Sequence, residues 1–412
     1  MDDPLRISGP RRRVPILALL AANAVSETGN VLAFVAIPWF VLQTTGSAVR
    51  TGLTGAAFLL AAVMAGIFGG PVVDRMGFKR TSIVADLAGA VTVALVPLLY
   101  HTVGLRFWQL LVLVFLGGFL DAPGHTARQS LVPDLAGRAR MGIERANSAF
   151  QGIQFGSLLL GPPLAGLLIT LFAPGNVLWI DAATFVVSAA LVATLVPAPR
   201  SGTEPRRAGR YLAELAEGLA FIRRDRLVVW MFGIGVVANS LAVPLFAVVL
   251  PYFAREAYGS ALDLGLMLGG FGSGALAGTV LYGILGDRLP RRATLVSAIS
   301  LLGVPFWVLV ATPPLEVAIG ALFVAGFALG PSNPLTYSVL QERTPPWMLG
   351  RVLGAGVSLS MVGAPAGMVL CGYALEIVGL RPTLVGISAC YLAVGLLAFL
   401  SPALHELDKT RT

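Results

Sequence analysis

Residues 70–80 read Gly-Pro-Val-Val-Asp-Arg-Met-Gly-Phe-Lys-Arg, and residues 283–292 read Gly-Ile-Leu-Gly-Asp-Arg-Leu-Pro-Arg-Arg. Each stretch closes a long apolar run with a glycine four residues ahead of an Asp-Arg pair, and two basic residues follow. The copies lie about 213 residues apart. Gly118-Phe119 with Pro123 is repeated as Gly326-Phe327 with Pro331 at nearly the same offset, inside two other apolar runs. Two independent matches at one period mark a duplicated chain.

Composition says what solvent the duplicated halves meet. The 412 residues are 56% hydrophobic and 12% charged, with a mean hydropathy of +0.81. A water-soluble domain carries about 25% charged residues, so this chain has too few to cover a surface in water. Its 48 glycines and 27 prolines suit membrane helices, which tolerate both. A disulfide scaffold, a coiled coil, a disordered chain and an ordinary soluble enzyme are all excluded. Cys371 and Cys390 sit in apolar runs and read as small core residues.

Taking each apolar run of about 20 residues as one span gives twelve. They cover 14–42, 50–71, 79–101, 107–129, 145–172, 176–197, 227–252, 263–285, 292–311, 315–338, 350–376 and 382–402. With both termini on one face, that face holds 25 Lys and Arg, counting Arg128 and Arg145 at span ends. The opposite face holds only Arg50, Arg106, Arg255 and Arg381. Lys and Arg resist translocation, so the expectation is a multi-pass protein of the inner (plasma) membrane with both termini cytoplasmic. The net charge of +8 then reports topology, with no nucleic-acid partner. Arg11-Arg12-Arg13 followed by Ala22-Asn23-Ala24 imitates a signal peptide, but the apolar stretch runs on through Phe40 and reads as span 1.

The expected fold is all-α: twelve transmembrane helices in two six-helix bundles, residues 1–197 and 227–412. The linker, 198–226, is the longest polar stretch and carries seven arginines. Within it, Tyr211 to Arg224 reads as an amphipathic helix with Leu212, Leu215, Leu219 and Ile222 on one side. Two such bundles related by an axis along the membrane normal place a substrate site at mid-membrane, around which the halves rock.

Charges inside the spans are the sharpest clues, since each costs roughly 2.5–3.5 kcal/mol at a helix centre on insertion scales. Glu27 lies about 20 Å into span 1 at 1.5 Å per residue, with Asn30 one turn on. It is the first candidate for proton coupling. Asp121, His125 and Arg128 follow one another at i, i+4 and i+7, so they share a face of span 4. That face reads either as a charge-balanced tether or as a carboxylate–imidazole proton step through Asp121 and His125. Asp86 reads as a partner for a nearby arginine, and Asp181 as structural. Gln151, Gln154 and Asn239 are candidates to line the cavity. Gly152, Gly156, Gly161, Pro162 and Gly166 give span 5 a small-residue seam for close helix approach.

No Walker loop follows a strand, no zinc-ligand spacing occurs and no nucleophile elbow is present. The chain therefore reads as no enzyme and needs no cofactor beyond a proton gradient.

The stretch from Gly70 through Asp74, Arg75, Gly77, Lys79 and Arg80 resembles the GxxxDRxGxRK loop of the major facilitator superfamily. Gly283, Asp287 and Arg288 resemble its second copy. Gly161-Pro162, Ala165 and Gly166 resemble the GPxxGG signature of the antiporter branch, with alanine in place of one glycine. Ile180-Asp181 with Thr184-Phe185, and Glu217-Gly218 with Phe221 to Arg224, are similar to enterobactin-exporter and macrolide-efflux proteins. The resemblance implies a cytoplasmic latch, in which Asp74 pairs with a loop arginine and with the N-terminal end of span 11. For Gly161, Pro162 and Gly166 it implies a leak-tight helix seam. Two departures stand out. The arginine that many drug antiporters carry early in span 4 is replaced by the apolar run Leu111 to Leu116, and Asn30 stands where relatives often have Asp.

The expectation is a monomeric secondary transporter that exports a small amphipathic molecule (a drug, an antibiotic or a siderophore) by proton antiport. A nutrient importer of the same fold is the alternative, and a non-transporting membrane sensor a more distant one.

Overall fold

The computed structural model describes residues 13–198 and 211–409, without the side chains of 66–75, 211–214 and 287. Among the described residues there is no strand. Backbone groups in lipid have no water to bond, so a spanning segment must satisfy its own N–H and C=O groups as a helix. Twelve helices among the described residues are long and apolar enough to cross a membrane.

The first six are α1 (Val14–Thr45), α2 (Ala48–Met76), α3 (Phe78–Thr102), α4 (Phe107–Ala139), α5 (Ile143–Phe172) and α6 (Pro174–Leu195). The amphipathic α7 (Tyr211–Arg224) lies where the leucine spacing predicts it. Then come α8 (Arg226–Ala257), α9 (Ala261–Leu285), α10 (Arg291–Val310), α11 (Leu315–Arg343), α12 (Leu349–Ile377) and α13 (Leu380–Leu400).

Three spans of the second half are interrupted, each beside proline. A π-helical turn, Leu245–Val249, lies between Pro244 and Pro251 in α8. The α-helical run of α11 stops at Leu329 and resumes at Ser332, with Gly330-Pro331 between. That of α12 stops at Met361 and resumes at Ala364, just ahead of Pro365. Proline donates no backbone hydrogen bond and clashes with the preceding turn, so each break falls where the ladder is already open.

One boundary differs clearly from expectation. The hydropathy of span 4 ends near 129, but α4 continues to Ala139. Leu131, Val132, Leu135, Ala136 and Ala139 keep helical spacing and are buried in a common core. The extension is held by packing against protein, which a hydropathy window does not register. Arg128, expected at a span end, is therefore well inside a helix, and its side chain is 0% exposed.

Two compact units emerge. One comprises Met1–Ala33, Leu60–Gly161 and Gly175–Ala208; the other comprises Phe34–Leu59, Pro162–Pro174 and Gly209–Thr412. The first is cored by the start of α1 (Ile16, Leu19, Ala22), the end of α4, Phe150 of α5, and Val192 with Val196 of α6. The second has a corresponding core from Leu227 and Met231 of α8, Leu295 and Ile299 of α10, Leu335 and Val339 of α11, and Ala398 of α13. Spans 1, 4 and 6 of one repeat and spans 7, 10 and 12 of the other thus fill matching positions, as a duplication requires.

Within the second unit α7 lies on α12. Ile222 is buried with Val228, Phe232, Val352 and Ala355, and Glu217 is ion-paired with Arg351. Gly218 permits this contact, because a Cβ there would collide with the Arg351 carbonyl.

Candidate functional site

The polar residues of α1 and α4 form a ladder. Running opposite ways, the two helices bring Asn23 to Arg128, Glu27 to His125 and Asn30 to Asp121. At one end Arg128 Nε donates to Asn23 Oδ1 over 3.3 Å. In the middle His125 Nε2 lies 3.6 Å from Glu27 Oε1. At the other end Asn30 Nδ2 donates to Asp121 Oδ1 over 3.2 Å. The spacing of 23, 27 and 30 in α1 repeats that of 121, 125 and 128 in α4, about two turns in each case. All of these residues belong to the first compact unit.

The rungs differ in chemistry. Arg128 is also paired with Asp86 of α3 at 2.6 Å, and Ser188 of α6 donates to the other Asp86 oxygen at 2.7 Å. Asp86 is 2% exposed and Arg128 0%. Removing one member of so buried a pair would strand a charge, which costs far more than the pair itself contributes. This end is a tether joining α1, α3, α4 and α6. Asp86 has the arginine partner expected of it.

The Glu27–His125 rung is more open, with side chains 16% and 29% exposed. Gln154 of α5 places its amide nitrogen 2.5 Å from the same His125 Nε2. That nitrogen can accept from the Gln154 amide or carry a proton toward Glu27, but it cannot do both at once. A proton arriving at this point therefore redistributes hydrogen bonds among α1, α4 and α5. His125 also packs edge-on against Phe150, which holds the ring in place.

Of the seven residues expected around the cavity, Glu27, Asn30, Asp121, His125 and Gln154 come together in this ladder. Gln151 is exposed and makes no hydrogen bond to them. Asn239 belongs to the other unit, where its amide donates back to the Gly235 carbonyl of its own helix. Sequence reasoning passed over two members, Asn23 and Ser188. The matching two-turn spacing in α1 and α4 could have disclosed Asn23, whereas nothing in the sequence singles out Ser188.

The predicted latch is partly within view. The side chains of Gly70, Asp74, Arg75 and Asp287 lie outside the described residues. Gly77 makes the turn between α2 and α3 with a φ of 77°, a conformation that favours glycine. Lys79 donates to the Ala193 carbonyl of α6 at 2.9 Å; Arg80 and Arg288 are exposed.

The span 5 seam is shorter than the glycine pattern suggests. A Cβ at Gly152 or Gly156 would meet nothing within 4 Å, so these two glycines make no close helix contact. Gly161 abuts Val31 of α1. Gly166 abuts the backbone of Ala261 and Leu262 in α9, and Gly265 abuts Pro162 and Pro163 in return. Close approach is confined to the Gly161–Gly166 end.

Lipid-spanning helices that bury a polar ladder between α1 and α4 fit a membrane transport protein. The profile of the Major Facilitator Superfamily matches residues 19–247 and 233–411, and the chain belongs to that family. It is 32% identical over 402 residues to the multidrug efflux pump Tap of Mycolicibacterium fortuitum, covering 96% of this chain and 98% of that one. It is 22% identical to macrolide efflux protein A of Streptococcus pyogenes, over 96% and 97% of the two chains. Among solved structures, a point mutant of the nucleoside transporter NupG superposes with a TM-score of 0.80 at 12% identity, covering 93% of this chain and 98% of that one. An inward-facing bacterial homolog of the human lysosomal transporter Spinster gives 0.74 at 15%, over 98% and 99%. These likenesses carry the fold. The chain is a transporter of small molecules in a membrane, not an enzyme.

Proposed function

We propose that this protein exports small amphipathic organic molecules of the drug or antibiotic class from the cytoplasm, driven by protons moving inward. The ladder between α1 and α4 carries the reading. Glu27, His125 and Gln154 form a protonatable rung beside a second carboxylate, Asp121, and a fixed ion pair anchors one end. In an antiporter, substrate and proton compete for one site. A cationic or hydrogen-bonding drug that reaches Glu27 displaces its proton, and a proton arriving from outside displaces the drug. Likeness to Tap over nearly the full length of both chains supports the direction and the cargo class. The preponderance of Lys and Arg on the face of the termini supports a plasma-membrane protein with those termini in the cytoplasm. The protein works as a monomer on this reading.

The test is dye and drug accumulation in everted membrane vesicles that contain the protein. Energised vesicles should concentrate the compound, and an uncoupler should abolish the accumulation within the assay time. Accumulation that persists with uncoupler would remove the proton as driving ion.

A further inference from the structure

Asp181 has no part in the ladder, yet its surroundings are unusual for a carboxylate. It lies in α6, is 0% exposed, and its Oδ2 has no hydrogen-bond partner. Its Oδ1 has only the Thr184 hydroxyl at 3.5 Å, and that hydroxyl donates more closely, at 2.7 Å, to the Asp181 backbone carbonyl. Burying a carboxylate without donors or a countercharge is among the most expensive arrangements a fold can hold.

What covers it is also specific. A Cβ at Gly29 of α1 would overlap both Asp181 Oδ1 and the Thr184 hydroxyl. Glycine is therefore needed at 29 for α1 to seat against this carboxyl. Gly29 lies between Glu27 and Asn30, the ladder residues of the same helix turn. Of the charged and titratable groups on the neighbouring helices, Asp121 of α4 acts on it directly; Glu27 and His125 form the adjacent rung, and the Asp86–Arg128 pair is bonded to Ser188, two turns along α6. The cation in that set, Arg128, gives Nη1 to Asp86 and Nε to Asn23; its buried Nη2 has no hydrogen-bond partner, and none of its nitrogens is paired with Asp181. Among the described residues no cation is paired with Asp181, and the charged group acting on it is another carboxylate, Asp121.

We propose that Asp181 is a proton-exchanging residue of the transport cycle, capped by Gly29 of α1 in this conformation and opened to water when α1 moves. It takes a proton from water on the outer face, and keeps it as a neutral acid while Gly29 covers it. When the cover lifts toward the cytoplasm it passes that proton to water, leaving a hydrated carboxylate. The inference rests on the proton-antiport reading and adds a second carrier beside Glu27. A purely structural aspartate would instead be expected to accept hydrogen bonds from a neighbouring helix.

The experiment uses full-length protein in proteoliposomes with a fluorescent amphipathic dye as probe. Uptake driven by an imposed pH difference is compared with dye–dye exchange at equal pH on both sides. Asp181→Asn, which fixes a neutral side chain of the same shape, should retain exchange within about twofold and lose gradient-driven accumulation at least tenfold. Asp181→Asn that accumulates dye as wild type does, or that loses exchange equally, overturns the proposal. Wild-type vesicles that ignore the pH difference would sink the antiport reading instead, so the two failures are distinguishable. Should the variant fail to insert, wild-type protein decides. A hydrophobic carbodiimide should modify Asp181, detected by mass spectrometry, with a yield that falls as pH rises during turnover. Absence of modification at every pH, or a yield independent of pH, overturns the proposal.

Discussion

Arg128 shows how much one side chain can hold. Its guanidinium joins α4 to Asp86 of α3 and Asn23 of α1, fully out of solvent. Arg128→Leu leaves Asp86 buried without its partner, so a loss of about 3–5 kcal/mol is expected. The variant should nearly vanish as a monodisperse peak in detergent. The double variant Asp86→Leu with Arg128→Leu should recover much of that peak, because two apolar groups need no pairing. A double variant as unstable as the single one would show that the pair is not what the arginine supports. Glu27→Gln is the opposite case: membrane content should be unchanged, while efflux falls at least tenfold in a dye assay. Glu27 was legible because a carboxylate deep in an apolar run has few reasons to exist. Arg128 was misplaced for a physical reason: hydropathy averages over all faces of a helix and cannot see one face packed against an aspartate.

At the scale of elements, contacts inside the second compact unit tie the turn between α1 and α2 to α12. Ser47 caps α2 by accepting from the Arg50 N–H at 3.1 Å, and its hydroxyl donates to Glu376 at 2.5 Å. The Val49 N–H donates to the same carboxylate at 3.0 Å, so a negative charge sits on the positive end of α2. Gly372 lies against Ala48, and Gly52 against the Met368 carbonyl. In a protein with Cys371 and Cys390 replaced by serine, cysteines introduced by Ser47→Cys and Glu376→Cys should cross-link under oxidant. Transport should stop and return on reduction; full transport by the cross-linked form would mean that this contact need not open. Likewise Gly166→Leu, driven into the Ala261 carbonyl, should cut efflux at least tenfold, whereas Gly156→Leu, which meets open space, should cut it less than twofold. Glycine content in α5 was plain in the sequence, but which glycines touch a neighbour depends on helix phase and partner, and only the structure supplies both. The α7 helix was legible to the residue because its leucine face and polar face separate cleanly; the interruptions in α11 and α12 were not, since many membrane helices carry proline without breaking.

For the whole molecule, the internal repeat and the twelve spans were legible in the sequence, because lipid leaves a chain few ways to satisfy its backbone. The asymmetry between the repeats matters more for function. The first half holds the ladder, whereas the second has Leu329, Asn333 and Thr336 at the positions of Asp121, His125 and Arg128. On the proposed antiport reading, proton handling falls to the first half, with substrate and proton exchanging at its Glu27–His125 rung. The direct measurement is proton release on drug binding, followed with a pH indicator in weakly buffered detergent solution. Wild-type protein should release protons as drug is added, to an extent that diminishes at alkaline pH, and Glu27→Gln should bind the drug while releasing clearly fewer. Saturable drug binding by the wild type with no proton release at any pH would contradict the account.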